Sequence, residues 1–254
     1  MGDPSSLKTD GVKIVGAAGC PVFEVTNDEP ETYTYTITFT LMSSSGEALS
    51  NSKQIVPSVK PGQSVKRAVD TDTGSDQWPA STGSPARVKI IEVRDVPTTE
   101  APSEAGPCPP SGVRVYADAG DAAMGLRVVG LHLTNCGTRS YRLDGYPQLQ
   151  LLDERHEPVD GVKILHGGDA IAAGTGADGP PRALVLKPGE SAQAGLVWRN
   201  TTLAGAGDPV SVPYVRVLAK TGAAAVMVAP DLDLGTTGKL GIGPWQKAAK
   251  SPSP

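Results

Sequence analysis

The sequence predicts an all-β protein folded as two antiparallel β-sandwiches in tandem, on three observations. Breakers are abundant: 30 glycines and 23 prolines leave no room for long helices. Short strand-like runs recur every 8 to 12 residues or so, with a turn signal in each gap and no amphipathic helix above two turns. A Pro-rich connector then separates two halves that repeat one plan. The expected boundaries are an N-terminal sandwich over 8–97, a semi-rigid linker over 98–107, a second sandwich over 108–248 and a disordered tail over 249–254.

In the first half a strand over 22–27 ends in Thr26-Asn27. The strongest strand of the chain follows, where Tyr33, Tyr35, Ile37, Phe39 and Leu41 alternate with threonines. That period of two predicts one buried face and one wet face, with the Tyr/Phe stripe in the core. Ser43 to Gly46 makes a hairpin turn, Ile55-Val56 starts the return strand, and Val88 to Val93 is a further strand. In the second half the strand Leu131-His132-Leu133-Thr134-Asn135 ends in the same dipeptide. Gln148 to Leu151 alternates before a turn over 153–158, and Ala194 to Trp198 and Val215 to Ala219 read as strands. Trp198 is expected in the core, and Trp78 and Trp245, both flanked by breakers, are expected to plug a sandwich edge, with projection to a partner as the alternative.

Laying Val59-Lys60-Pro61-Gly62-Gln63-Ser64 over Leu186-Lys187-Pro188-Gly189-Glu190-Ser191 brings out the repeat, since both turns enter a strand. The Asn-to-Pro interval is longer in the second half, and the surplus falls in the glycine-rich stretch 167–181. That segment, within a loop spanning 165–182, is expected to be mobile and to carry binding, with His166, Asp169 and Asp178 as candidate binding residues.

With 23 basic and 27 acidic side chains and a formal net charge of −4, phosphate attraction does not drive this protein to nucleic acid. No run of about 20 apolar residues predicts a membrane span. The polar Met-Gly start suggests a chain that begins downstream of a removed leader, so an exported, extracellular or cell-surface protein is expected. Cys20 reads as a strand cysteine. Cys20, Cys108 and Cys136 allow one disulfide and leave one thiol over. A Cys108–Cys136 bridge would staple the start of the second domain to its sheet, and closing a loop of that length is worth roughly 3–4 kcal/mol.

The run Leu131-His132-Leu133-Thr134-Asn135-Cys136-Gly137, with Leu143-Asp144-Gly145-Tyr146-Pro147, Leu151-Leu152-Asp153, Leu186-Lys187-Pro188-Gly189-Glu190, Trp198-Arg199-Asn200 and Pro244-Trp245, resembles the actinobacterial DUF4232 family over residues 108–248. The resemblance implies an exported or lipid-anchored envelope protein with an immunoglobulin-like sandwich and no assigned activity. Members commonly carry a cysteine two residues before the leucine that precedes Gly-Tyr-Pro, where this sequence has Tyr141. By analogy Cys136 takes that place as the partner of Cys108. The first half resembles no named family.

His132, His156 and His166 are the only histidines, expected as one half-buried strand residue and two solvated loop residues, without metal-ligand spacing. No nucleophile elbow, phosphate cradle or Cys-x-x-Cys occurs. Asp70, Asp72 and Asp76 form an acidic loop without calcium-binding spacing. Asp231-Leu232-Asp233 places two carboxylates on one strand face roughly 7 Å apart, the arrangement an inverting glycosidase would need. The expected function is therefore a non-catalytic cell-envelope module, without cofactor or metal, that binds a cell-wall polymer or another envelope protein. The rival is a cell-wall polysaccharide hydrolase using Asp231 and Asp233.

Overall fold

The computed structural model describes residues 11–16, 21–43, 45–70 and 87–248. Cys20, Asp72, Asp76, Trp78 and the expected tail lie outside the described residues. The chain divides into two compact units, residues 1–99 and 100–254. Both are all-β, and the described helix is a single 3-10 turn at Thr98–Glu100.

The first unit contains β1 (Val12–Gly16), β2 (Val22–Thr26), β3 (Tyr33–Met42), β4 (Ala48–Val59), β5 (Ser64–Ala68) and β6 (Arg87–Pro97). They form two antiparallel sheets, ordered β1-β2-β5 and β4-β3-β6. The alternating stripe of β3 is buried throughout: Tyr33, Tyr35, Ile37, Phe39 and Leu41 all belong to the core. Phe23 of β2 meets Phe39 with ring centroids 5.0 Å apart, so one core draws on both sheets. The β3–β4 hairpin closes through the Gly46 N–H on the Ser43 carbonyl at 3.0 Å.

The second unit begins with β7 (Val113–Ala117), β8 (Asp121–Ala123), β9 (Leu126–Asn135), β10 (Tyr141–Leu143), β11 (Gln148–Leu152), β12 (Lys163–His166) and β13 (Leu184–Leu186). It continues with β14 (Ser191–Arg199), β15 (Val210–Val212), β16 (Tyr214–Leu218), β17 (Ala225–Val228), β18 (Leu232–Gly235), β19 (Lys239–Ile242) and β20 (Gln246–Lys247). The largest sheet runs β12-β19-β14-β9-β7, with β8 also on β9 and β20 also on β14. Pairing is antiparallel except between β12 and β19, which run parallel. Trp198 and Trp245 are buried in this core, where the Trp245 indole N–H donates to the Ala219 carbonyl at 2.9 Å. Cys108 and Cys136 are disulfide-bonded with Cα atoms 5.6 Å apart, which ties the segment before β7 to the end of β9.

Residues of the expected linker are held to the second unit. The Ser103 N–H donates to Val115 O at 3.0 Å, Glu100 pairs with Arg216 at 2.7 Å, and Arg114 donates to the Gly106 carbonyl.

The repeat extends to individual hydrogen bonds. Buried Asn27 donates from Nδ2 to the carbonyls of Glu31 (2.8 Å) and Val59 (2.7 Å), and its Oδ1 accepts the Glu29 N–H (2.8 Å). Buried Asn135 donates to Arg139 and Leu186 (both 2.9 Å), and its Oδ1 accepts the Gly137 N–H (3.2 Å). Each asparagine also exchanges backbone bonds with its Pro-Gly turn. Gly62 donates to Asn27 O at 2.8 Å, and Gly189 donates to Asn135 O at 2.7 Å. Both glycines sit at positive φ, 71° and 81°, which a residue with a Cβ adopts only under strain. At the turn's end Thr26 meets Ser64 and Thr134 meets Ser191, hydroxyl to hydroxyl, both at 2.9 Å. Asparagine suits this post because its short side-chain amide supplies two donors and an acceptor to three backbone groups at once.

Candidate functional site

Those matched clasps align the two units residue by residue. Two positions before the clasp threonine and two after the clasp serine, the first unit has Lys13, Glu24 and Lys66 side by side on β1, β2 and β5. The second has Tyr116, His132 and Gln193 on β7, β9 and β14. One step further along, Val22 pairs with Ala68 in the first unit, and Gly130 pairs with Gly195 in the second.

In the first unit the charges close on one another: Glu24 accepts Lys13 at 3.0 Å and Lys66 at 3.2 Å. Hydrogen bonds from Lys13 and then Lys66 hold its carboxyl below the ordinary range. In the second unit a hollow of about 390 Å³ lies on this sheet face, lined by Gly130 and Gly195 and flanked by Asp118, His132, Gln193 and Thr175.

Asp118 follows β7 and folds back over Gly130. Its Oδ1 accepts the N–H of Gly130 (2.8 Å) and of Gly120 (3.0 Å), and its Oδ2 meets His132 Nε2 at 2.8 Å. Partial burial pushes its pKa up, but the His132 hydrogen bond and the two backbone N–H groups outweigh it, so the carboxyl lies below its ordinary range. Glycine at 130 is a steric requirement, because a Cβ there would collide with Asp118 Oδ2 and come within 2.9 Å of His132 Nε2. The His132 ring stacks on Tyr116 with centroids 4.8 Å apart.

The glycine-rich loop forms the opposite wall. Contrary to the expectation of a mobile loop, Ala177 is completely buried, and its carbonyl accepts the Gly168 N–H at 3.2 Å. Cβ atoms at Gly195 or Gly243 would press on Ala177, at 3.2 and 2.7 Å, so the bare strands are what let the loop lie down. Gln246 Nε2 secures it further, donating to the Asp178 carbonyl at 2.8 Å. Thr175 and Gly176 are the loop residues that reach the hollow.

The expected binding residues sit elsewhere. Asp169 and Asp178 come together, and the hydrogen bond and negative charge of Asp178 raise the pKa of Asp169. Asp178 Oδ2 also accepts the Gly174 N–H at 2.7 Å. His166 belongs to β12 and stacks on Tyr146 at 4.2 Å. None of the three lines the hollow.

His156 differs from the solvated residue expected: it is half-buried, edge-on to Tyr214 at 4.5 Å. Each histidine thus packs on its own tyrosine. Among the described residues no group of three or more His, Cys, Asp or Glu is placed to hold a metal.

The pair Asp231 and Asp233 does not share a strand, because β18 starts at Leu232 and Asp231 precedes it at φ 50°. The Asp233 carboxylate is occupied as well. It accepts Trp198 Nε1 at 2.7 Å and Asn200 Nδ2 at 3.0 Å, with Arg127 3.6 Å away.

Sequence reasoning missed Asp118, Tyr116, Gln193 and Gly130. One signal was present: a glycine in the middle of an otherwise strong strand marks a close approach of other atoms.

Comparison with known proteins gives one firm result. The model for DUF4232, a domain of unknown function, matches residues 108–246, more than half of the chain. The chain belongs to the DUF4232 family. The disulfide, Asp118, His132, Gln193 and the loop wall all fall inside the matched DUF4232 segment. No curated protein matches the sequence. A solved structure described as a "putative beta-galactosidase" from Bacteroides fragilis aligns over 82% of this chain and 32% of its own, at 10% identity and a TM-score of 0.23. The chain spans about a third of that protein's length, and a likeness so low carries no argument. Among the described residues no helix is long and apolar enough to cross a membrane.

Proposed function

We propose that this DUF4232 protein is a non-catalytic binding module of the cell envelope, acting outside the cell as two immunoglobulin-like sandwiches in tandem. The disulfide supports export, because such bonds persist in oxidising compartments. The tandem sandwich is supported by the shared asparagine clasp and by the first unit's core, which draws on two sheets. The observation that carries the binding role is the hollow: where the first unit fills its sheet face with paired charges and side chains, the second has glycines on which Asp118 and the loop settle, with a hollow between them.

Turnover has little support in this geometry. The hydroxyl lining the hollow belongs to Thr175, whose Oγ1 is directed to the Ala172 carbonyl at 3.5 Å, while His132 Nε2 faces Asp118. A base aimed away from any nucleophile suits recognition better than acyl or glycosyl transfer.

The test is co-sedimentation of the purified protein with isolated cell envelopes, alongside protease shaving of intact cells. The protein should pellet with envelopes and be cut on whole cells, and Gln193→Trp, which fills the hollow from an exposed strand position, should stay in the supernatant. Equal pelleting of parent and variant would remove the hollow from the binding role, and protection from protease on intact cells would remove the surface location.

A further inference from the structure

We infer that the hollow over Gly130 and Gly195 recognises one uncharged sugar ring, a deepening that rests on the binding role proposed above. Its volume, about 390 Å³, is at the small end of the range for ligand sites and suits one or two pyranose rings.

Three features of its chemistry select the ligand class. The lining contains no lysine or arginine, while Asp118 and Asp121 carry negative charge, so phosphates, sulfates and sugar acids are repelled. Asp118 is a poor counter-ion for an incoming ammonium, because its carboxylate already takes two backbone N–H groups and His132. The Gln193 amide offers a ligand both a donor and an acceptor, and the Thr175 hydroxyl, which donates to the Ala172 carbonyl, can still accept, a mix that meets vicinal hydroxyls better than it meets a cation. Asp118 lies over Gly130 and Ala177 packs against Gly195, so the hollow is the space left between that carboxylate and the loop wall, which a single ring can enter.

The internal duplicate argues that this arrangement is not a by-product of the fold. The same clasp and register in the first unit carry Val22 and Ala68 at the floor positions and Lys13, Glu24 and Lys66 in the neighbouring row. A sheet face that needed only to be soluble is satisfied by such a self-neutralised row.

The full chain, isotopically labelled, is titrated with methyl glucoside, methyl galactoside, N,N'-diacetylchitobiose, glucuronate and 1,5-diaminopentane, following the backbone amide signals of Gly130, Gly176 and Gly195. The expected result is a saturable shift with at least one neutral sugar at a Kd on the order of millimolar, which is typical for a shallow polar site. Glucuronate should produce no saturable shift. Gln193→Ala should weaken the response roughly fivefold, the effect of one net hydrogen bond, with the amide signals of the β3–β4 hairpin in the first unit unchanged. Saturation by the diamine alone would overturn the sugar assignment and leave the hollow a binding site for another class. Undiminished sugar shifts in Gln193→Ala, or no saturation by any neutral sugar, would also overturn it, and in the latter case envelope co-sedimentation decides separately whether the module binds at all.

Discussion

The two units carry the same asparagine clasp, with matching partners at matching offsets, yet their equivalent sheet faces differ. Around Asn27 the face is closed by Lys13, Glu24 and Lys66, and around Asn135 Gly130 and Gly195 admit Asp118 and the loop that buries Ala177, with the hollow between them. The difference teaches that the clasp is the structural constant and the face is the variable. Buried backbone groups leave the clasp no substitute, whereas a half-exposed sheet face accepts any residues that satisfy one another.

The largest break in this comparison should come from the clasps themselves. Asn135→Ala removes both donors from the Arg139 and Leu186 carbonyls and leaves the Gly137 N–H with the Gly112 carbonyl as its acceptor. A loss of about 3 kcal/mol is expected from stranding those carbonyls, measured by urea unfolding, and Asn27→Ala should cost a similar amount. If one substitution is tolerated and the other is not, the clasps are not equivalent.

Gly130→Ala should act at intermediate scale, about 1–2 kcal/mol, because its Cβ forces Asp118 and His132 apart. Its pH dependence sharpens the assignment. The folded-state pKa of Asp118 is lowered, so its contribution is full above the ordinary carboxylate pKa and is lost as pH falls through the lowered value. The gap in stability between parent and Gly130→Ala should therefore narrow on acidification below about pH 4. A gap that stays constant down to pH 2 would mean that Asp118 is not what the glycine accommodates.

The smallest effect is expected in the first unit. Lys66→Ala removes an exposed ion pair with Glu24, and the cost should be under about 1 kcal/mol and shrink further in high salt. A larger, salt-insensitive loss in thermal melts would show that the closed row is structural and not merely solvating.

Much of this architecture was legible in the sequence. The alternation of β3 announced a one-sided strand, and five of its apolar residues are in the core. The paired Thr-Asn and Lys-Pro-Gly motifs announced the duplication down to the turn. The loop was placed correctly but described wrongly, because glycine content signals conformational freedom and does not reveal that neighbouring strands have bare positions for Ala177 to cover. The candidate site was largely hidden for a related reason. Asp118 and His132 lie on either side of a hairpin, and no local pattern joins them. The Asp231 and Asp233 pairing failed because a period of two applies only inside a strand, and the chain turns at Asp231.

By itself the sequence determined what depends on neighbours along the chain: strand faces, turn residues at positive φ, the duplicated clasp motif and the family. Only the tertiary structure decided which side chains are missing from one patch of sheet, what lies across the gap and which carboxylate is already engaged. The physical reason is that a hollow is the space left between segments far apart in sequence, and it takes a shape only when register and loop packing have brought those segments side by side.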